Sequence, residues 1–419
     1  MATEEFSELN FFKKRLSATE RLLAVKQLQI DSLLDITRAV NSNMPITALS
    51  RIYENILHAQ LGVKQLALFI KESDDNWMCI TPCELPGSIL NYDVEAKFPL
   101  FTFTTPVAAI KDDTLKDFEF LIPVLHKKEA IGYALIGSFG NEQSDTKDEK
   151  LKFIQTLTNV LVVAQENKKL VKNQIDQLVM QKELKLAADM QNLLVPASLP
   201  NNERIEAAAF YKPHKNIGGD YYDFIELSEN EIAFCVSDIS GKGIPAAILM
   251  ANFQANMRTL LAHQYSLKEF ISLLNKKVLD ITKGEKFITF FIATYNYSTR
   301  MLTYVNAGHN PSILFLNGDV QLLEQGCTIL GMFDTLPVIN YGEVKVEPDS
   351  ILMNYTDGLS EASNNEGKLF ETEGLINFLY GNDKLPLEEF NIKLIDHVIA
   401  YKQDTDFDDD ITLLTLRFK

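Results

Sequence analysis

The chain has 419 residues, 46% hydrophobic and 23% charged, with a formal net charge of −17 at pH 7. This length and balance suit a globular protein of about three domains with cores of real size. The acidic excess argues against a nucleic-acid backbone or an anionic membrane surface as partner.

The N-terminus, M-A-T-E-E-F-S-E-L-N, has no basic segment followed by an apolar one. No later window holds the roughly 18 apolar residues of a spanning helix, so the expectation is a cytoplasmic protein. Cysteines occur only at Cys79, Cys83, Cys235 and Cys327, too few and too scattered for a disulfide framework. Cys79 and Cys83 have no second ligand pair downstream and read as reduced packing residues.

Residues 5–40 read as a helix in which Leu9, Leu16, Leu23 and Ile30 recur seven apart. Phe12 and Leu33 fill part of a second seam, which Thr19 and Lys26 interrupt. Residues 1–35 form either a short coiled coil between two copies or an amphipathic helix packed on its own domain.

From 36 to 168 the pattern changes. A helix over Ile46–Leu61 precedes strands at Leu66–Ile70, Trp77–Ile80, Phe118–Leu125 and Ile131–Phe139. The polar turn His126-Lys-Lys-Glu129 separates the last two strands, and a helix from Lys147 closes an α+β unit. The hairpin F-L-I-P-V-L-H-K-K-E-A-I-G-Y-A-L-I-G resembles the penultimate strand pair of a GAF domain. That resemblance implies a sensor that binds an unspecified small-molecule or protein signal, or dimerises; a purely structural dimer platform is the alternative. No Cys or His stands where haem or bilin attachment is arguable.

Between Leu151 and Leu194 there is no Pro or Gly. Ile154, Leu157, Leu161, Ala164, Val171, Ile175 and Leu178 follow a three-four alternation that paints one stripe on a helix, broken once by Lys168. The stripe resumes at Leu184, Ala187, Met190 and Leu194, but the step from Leu178 to Leu184 is six residues, not seven. Such a slip rotates the downstream face. Residues 169–197 are therefore expected to be a helical linker joining sensor to catalyst as a parallel dimer, or else a rigid spacer; Pro196 and Pro200 end it.

Residues 198–419 form the last domain. Strands are expected at Ile205–Tyr211, Asp220–Leu227, Glu231–Ser237, Ile288–Tyr297, Leu302–Ala307, Ser312–Phe315, Ile351–Tyr355 and Ile411–Arg417. Helices are expected at Pro245–Gln264, Leu267–Lys283, Glu373–Leu379 and Pro386–Tyr401. Two packed sheets with helices outside accommodate this order.

Acidic residues recur at the ends of these strands. Asp220 follows a glycine pair, Asp238 ends the apolar run Phe234-Cys-Val236, Asp357 follows the buried strand Ser350–Tyr355, and Asp408, Asp409 and Asp410 precede Ile411. An unpaired charge there is expensive, and a hard divalent cation with oxygen ligands removes the cost. Any one of these Asp residues alone reads as a turn cap. Four sharing one context predict convergence on a metal.

The motifs G-G-D-Y-Y-D-F, D-I-S-G-K-G-I-P-A-A, N-A-G-H-N-P, Y-T-D-G-L-S-E-A and D-D-I-T-L-L together resemble the PPM family of metal-dependent serine/threonine phosphatases, in its bacterial sporulation-stage-II-E and stress-response branch. The resemblance runs from about residue 185 to the C-terminus, and E-L-K-L-A-A-D-M-Q-N-L-L-V-P is similar to a regulatory helix in those enzymes. It implies an α/β/β/α sandwich and a two-ion centre of Mn2+ or Mg2+. Asp220 and Asp238 would bridge or flank the ions, Ile239 would lend its carbonyl, and Asp357 and Asp409 would complete one shell. Asp410 would stand behind Asp409, with Asp408 facing solvent. The implied reaction is direct hydrolysis of phosphoserine or phosphothreonine on a regulatory protein of the anti-anti-sigma (STAS) type, controlled by the GAF-like domain in a homodimer.

Lys242 stands where some relatives have His and either attracts a phosphate dianion or is merely solvated. His309, in the N-A-G-H-N-P signature, receives no acid–base role. A G-G-D-E-F-type nucleotide cyclase is a poor fit, because Tyr221 and Tyr222 replace Glu-Phe and Asp357 and Asp409 go unexplained. A catalytically idle phosphoprotein-binding scaffold is the alternative from another class.

Overall fold

The computed structural model describes residues 2–73, 76–80, 85–138, 144–263, 265–403, 405 and 407–419. Cys83, Phe139 and Gln264 lie outside the described residues, as do the side chains of Leu9 and Phe12. The chain divides into two units, Met1–Leu178 and Val179–Lys419. Among the described residues no helix is long and apolar enough to cross a membrane, and Cys235 and Cys327 carry free thiols.

The first unit contains α1 (Ala2–Asn41), α2 (Ile46–Leu61), β1 (Leu66–Ser73), β2 (Asn76–Cys79), α3 (Gly87–Leu90), α4 (Val94–Lys97), β3 (Thr105–Pro106), β4 (Phe118–His126) and β5 (Glu129–Gly137). Helix α5 (Ser144–Asn192) begins here and ends in the second unit. The strands form an antiparallel sheet in the order β2-β1-β5-β4-β3. Side chains alternate across it with the period of two that strands impose. Leu66, Leu68 and Ile70 pack with Ile36 of α1, Tyr53 and Leu57 of α2, and Leu157 of α5. Ala67 and Phe69 face the other way, into a cluster with Phe98, Tyr133 and Leu135 beneath the short α3 and α4. The β4–β5 turn places Lys127 at φ 51° and Lys128 at φ 87°. Two successive positive φ values match the twist of a tight hairpin.

Along the long helix the apolar stripe divides in two. Ile154, Leu157 and Leu161 are buried in the first unit's own core, whereas Val171, Ile175 and Leu178 are 54%, 54% and 64% exposed. A three-four spacing marks an apolar face but does not say what covers it. In α1, Leu16, Leu23 and Ile30 are likewise exposed while Ile36 is buried.

The second unit begins with β6 (Ile205–Lys212), β7 (Tyr221–Ser228), β8 (Glu231–Ile239), α6 (Ile244–Leu261), α7 (Leu267–Thr282), β9 (Ile288–Asn296), β10 (Met301–Ala307) and β11 (Ser312–Leu316). It continues with β12 (Asp319–Leu323), β13 (Gly326–Cys327), β14 (Gly342–Lys345), β15 (Ser350–Tyr355), α8 (Asp357–Ser360), α9 (Glu371–Leu379), α10 (Leu387–Lys402) and β16 (Ile411–Phe418). One sheet runs β13-β10-β9-β8-β7, with β14 also on β10; the other runs β12-β11-β15-β16-β6. β12, β13, β14 and α8 are absent from the sequence expectation: β12 buries only Leu323, and the others are two to four residues long.

Strand β9 shows how the layers are built. Ile288, Phe290 and Ile292 point toward α6 and α7, where they meet Phe253 and Leu274. Phe291, Ala293 and Tyr295 point into the space between the sheets, against Leu352, Leu414 and Phe418. On the far side Ile351, Met353 and Leu413 pack with Leu375 of α9 and Phe390 and Leu394 of α10. Four layers result, helices outside two sheets. Each fully buried side chain of this size contributes about 1.5–3 kcal/mol. Pro245 in the first turn of α6 and the Ser266–Glu269 capping box of α7 fix where those helices start.

Candidate active site

Strands β7 and β8 deliver the first two carboxylates. Tyr221 pairs with Ser237, so continuing the antiparallel register one step outward sets Asp220 across from Asp238. The glycine pair before Asp220 is a requirement of space. A Cβ on Gly219 would stand 2.9 Å from the Ile239 carbonyl oxygen, and one on Gly218 would stand 2.6 Å from both Asp410 Oδ2 and Tyr211 Oη. Only glycine permits that approach.

The second sheet supplies the rest from the ends of β15 and β16. The Thr356 amide donates to the Thr412 carbonyl at 3.0 Å, and the Thr412 amide donates to Thr356 Oγ1 at 2.9 Å. Both hydroxyls then donate to Asp220 Oδ2, at 2.7 and 2.6 Å. Asp220, 1% exposed, is therefore held across the sandwich by the opposite sheet.

Asp357 opens α8, and a Cβ on the following Gly358 would stand 2.0 Å from the Asp410 carbonyl oxygen. Asp410 is buried; its Oδ1 accepts the His214 amide at 2.8 Å and its Oδ2 the Gly219 amide at 2.5 Å. Asp409 is more open and meets Lys242 Nζ at 2.9 Å. Lys242 also donates to the Asp408 carbonyl, while the Asp408 residue is exposed.

Burial and mutual repulsion dominate the electrostatics. Burial, then the Asp238 charge, holds the Asp220 carboxyl well above the usual range, against the pull of its threonine hydrogen bonds. Asp238 is pushed up to about 7 by burial, then by Asp357, Asp409 and Asp410. Asp357 is pushed up to about 6 by burial, then by Glu361 and Asp409. Lys242 opposes the rise at both.

A cluster so short of positive charge suits a divalent cation, and the donor set of carboxylates plus the Ile239 carbonyl is that of a hard ion. Among the described residues no group of three His, Cys, Asp or Glu side chains is already closed up enough to hold one. The reason is visible in the bonds: Asp220 is turned to two threonines, Asp410 to backbone amides and Asp409 to Lys242. Magnesium-type sites keep several waters, so they need no complete protein cage.

The structure thus brings Asp220, Asp238, Ile239, Asp357 and Asp409 to one end of the sandwich. His309 stands apart in role. Its Nδ1 pairs with Thr289 Oγ1 at 2.8 Å and its amide donates to Asn306 Oδ1 at 2.7 Å. Its buried Nε2 has no hydrogen-bond partner. Burial depresses the imidazole to about 4, with only partial compensation from the Tyr355 backbone.

Sequence reasoning missed Thr356, Thr412 and Gln191. The threonines sit in strand-like runs where a β-branched residue needs no special reason. Gln191 is one more polar residue on a helix, yet it is buried, with Nε2 donating to the Gly218 carbonyl at 2.7 Å and Oε1 accepting the Gly218 amide at 3.3 Å. Beside Asp409 a cleft of about 410 Å³ is lined by Lys212, His214, Lys402 and Phe407 among others. The Lys402 and Lys212 ammonium groups lie 4.9 and 5.6 Å from the Phe407 ring centre.

Residues 228–419 match the family model of stage II sporulation protein E (SpoIIE). Phosphoserine phosphatase RsbU of Bacillus subtilis (strain 168) is 29% identical over 239 residues, 57% of this chain and 70% of that protein. Phosphoserine phosphatase RsbP of the same strain is 24% identical over 185 residues, and the chain spans 45% of its length. The solved SiaA-PP2C domain of Pseudomonas aeruginosa superposes with a TM-score of 0.53 at 20% identity, covering 58% of this chain and 99% of that one. That likeness speaks to the fold.

Proposed function

We propose, from the premise that the C-terminal domain of this chain is a SpoIIE-family serine/threonine phosphatase domain, that it hydrolyses phosphoserine or phosphothreonine on a regulatory protein of the anti-anti-sigma (STAS) type. Two Mn2+ or Mg2+ ions would be held by Asp220, Asp238, the Ile239 carbonyl, Asp357 and Asp409. The observation that carries this reading is the acidic cluster itself, raised at Asp238 and Asp357 to about 7 and 6 and opposed by Lys242.

When bound, such a pair of ions supplies a nucleophilic water at neutral pH and positive charge for the phosphoryl oxygens. The protein's part is placement. Thr356 and Thr412 fix the Asp220 carboxylate, and the close approach of Gly219 holds the Ile239 carbonyl at the site. Lys242 Nζ, which stands 2.9 Å from Asp409, would offer its ammonium to the phosphoryl group. Lys212 and Lys402 add positive charge along the adjoining cleft. Water attacks directly, without a phosphoenzyme.

In this reading residues 1–35 are an N-terminal helix, 36–168 a GAF-like sensor, 169–197 a regulatory linker and 198–419 the phosphatase. The protein acts in the cytoplasm as a homodimer, and the sensor adjusts turnover through the paired linker.

The test is hydrolysis of p-nitrophenyl phosphate and a phosphoserine peptide by the purified chain with Mn2+, then after chelation. Metal-dependent turnover is expected, reduced at least about 100-fold in Asp409→Asn. Full activity in that variant refutes the Asp409 assignment. A parent protein that binds the phosphoprotein without hydrolysing it is instead the idle scaffold.

A further inference from the structure

We propose that Gln191 is a positioning residue for the metal-binding carboxylates, acting through the backbone of Gly218. The inference rests on the metal centre proposed above but concerns a side chain that touches none of the carboxylates in it.

Gln191 is the second-to-last residue of α5. Met190 before it and Leu193 just past the helix end are 67% and 76% exposed, while Gln191 is 7% exposed. Its carboxamide uses both ends on one residue, donating to the Gly218 carbonyl and accepting the Gly218 amide. A side chain that bonds a glycine in this two-point way works like a neighbouring strand. It fixes the glycine segment in position and in rotation.

The two residues after Gly218 make that position matter. The Gly219 amide holds Asp410 Oδ2, the Gly219 Cα lies against the Ile239 carbonyl, and the next residue is Asp220. Asp410 in turn is bonded to its neighbour Asp409 through its own amide at 2.9 Å. A shift of Gly218 therefore reaches Asp220, Ile239 and the Asp409–Asp410 pair together. Gly218 cannot drift toward Asp410 or Tyr211, because the space a Cβ would need is already closed there. Gln191 restrains it by hydrogen bonds, and outer partners of this kind typically change metal affinity 10–100-fold.

The experiment is Mn2+ binding to the full chain by calorimetry, with the thermal midpoint in chelator read alongside. Gln191→Met keeps the length and loses both hydrogen bonds. Its Mn2+ dissociation constant is expected to rise about tenfold while its KM for p-nitrophenyl phosphate at saturating Mn2+ stays unchanged. Should that variant not fold, Gln191→Glu, equal in length but with a carboxylate oxygen against the Gly218 carbonyl, carries the same expectation. A folded variant that binds Mn2+ as the parent does, with only its midpoint lowered, overturns the proposal and makes Gln191 a packing residue. A parent that binds no Mn2+ removes the metal centre itself and the inference with it.

Discussion

Asp223 and His309 show how the second unit treats polar groups it buries. Asp223 is fully buried and accepts Arg258 Nε at 2.7 Å, Arg258 Nη2 at 2.8 Å and the Tyr221 hydroxyl. Breaking a buried pair strands the remaining charge, at a cost of about 3–5 kcal/mol. The Arg258 side chain is 47% exposed, so Arg258→Met should sit at the low end, about 3 kcal/mol. A fall of roughly 5–10 °C in the thermal midpoint is expected. An unchanged midpoint would mean that the Tyr221 hydroxyl and the Phe224 amide satisfy Asp223 without Arg258.

His309 yields a pH prediction with a definite sign. Its pKa falls from the ordinary 6.5 to about 4 in the fold. Between those values the unfolded chain binds a proton that the native state refuses, so stability drops as pH falls through that window. His309→Gln should flatten the decline in thermal midpoint between about pH 6.5 and pH 4 relative to the parent. Parallel curves for the two proteins would remove His309 as the cause.

At the scale of elements, α5 carries the open question of what covers an apolar face. Its Phe153, Ile154, Leu157 and Leu161 are buried in the core with β1 and α2, while Val171, Ile175 and Leu178 stay more than half exposed. In the homodimer proposed above, a second copy of the same helix would cover this stripe. Light scattering on a sizing column should give the mass of a dimer for the parent and of a monomer for Val171→Glu combined with Leu178→Glu. A parent that elutes as a monomer at micromolar concentration would leave α5 a spacer. The existence of α2, α6, α7 and α10 was legible because each carries a clear helical period between capping or breaking residues. β13 and α8 were not, since two- and four-residue elements exist only through the contacts made around them.

At the scale of the whole molecule, two units with separate cores should unfold with separable responses to metal. Mn2+ at about 100 times its dissociation constant adds about 2.7 kcal/mol to the state that binds it. Calorimetry should therefore show one of two transitions rising with Mn2+ and the other staying put. Binding needs ionised carboxylates, and Asp238 titrates near 7, so the rise should be larger at pH 8 than at pH 6. A single transition rising with Mn2+ would mean that the chain unfolds as one body.

The sequence by itself determined where the acidic strand ends fall, that Gly218 and Gly219 must precede Asp220, and which segments alternate as strands or turn as helices. Those are local signals, set by periods of two and 3.6 residues and by the special φ/ψ freedom and small size of glycine. Only the tertiary structure decided that Thr356 and Thr412 bind Asp220 across the sandwich, that Gln191 clasps Gly218, and that Lys242 holds Asp409. It also decided which part of the α5 stripe is buried at home. The physical reason is one of range. A hydrogen bond between residues 192 positions apart, as from Thr412 to Asp220, depends on how two sheets pack, and no periodicity along the chain encodes that distance.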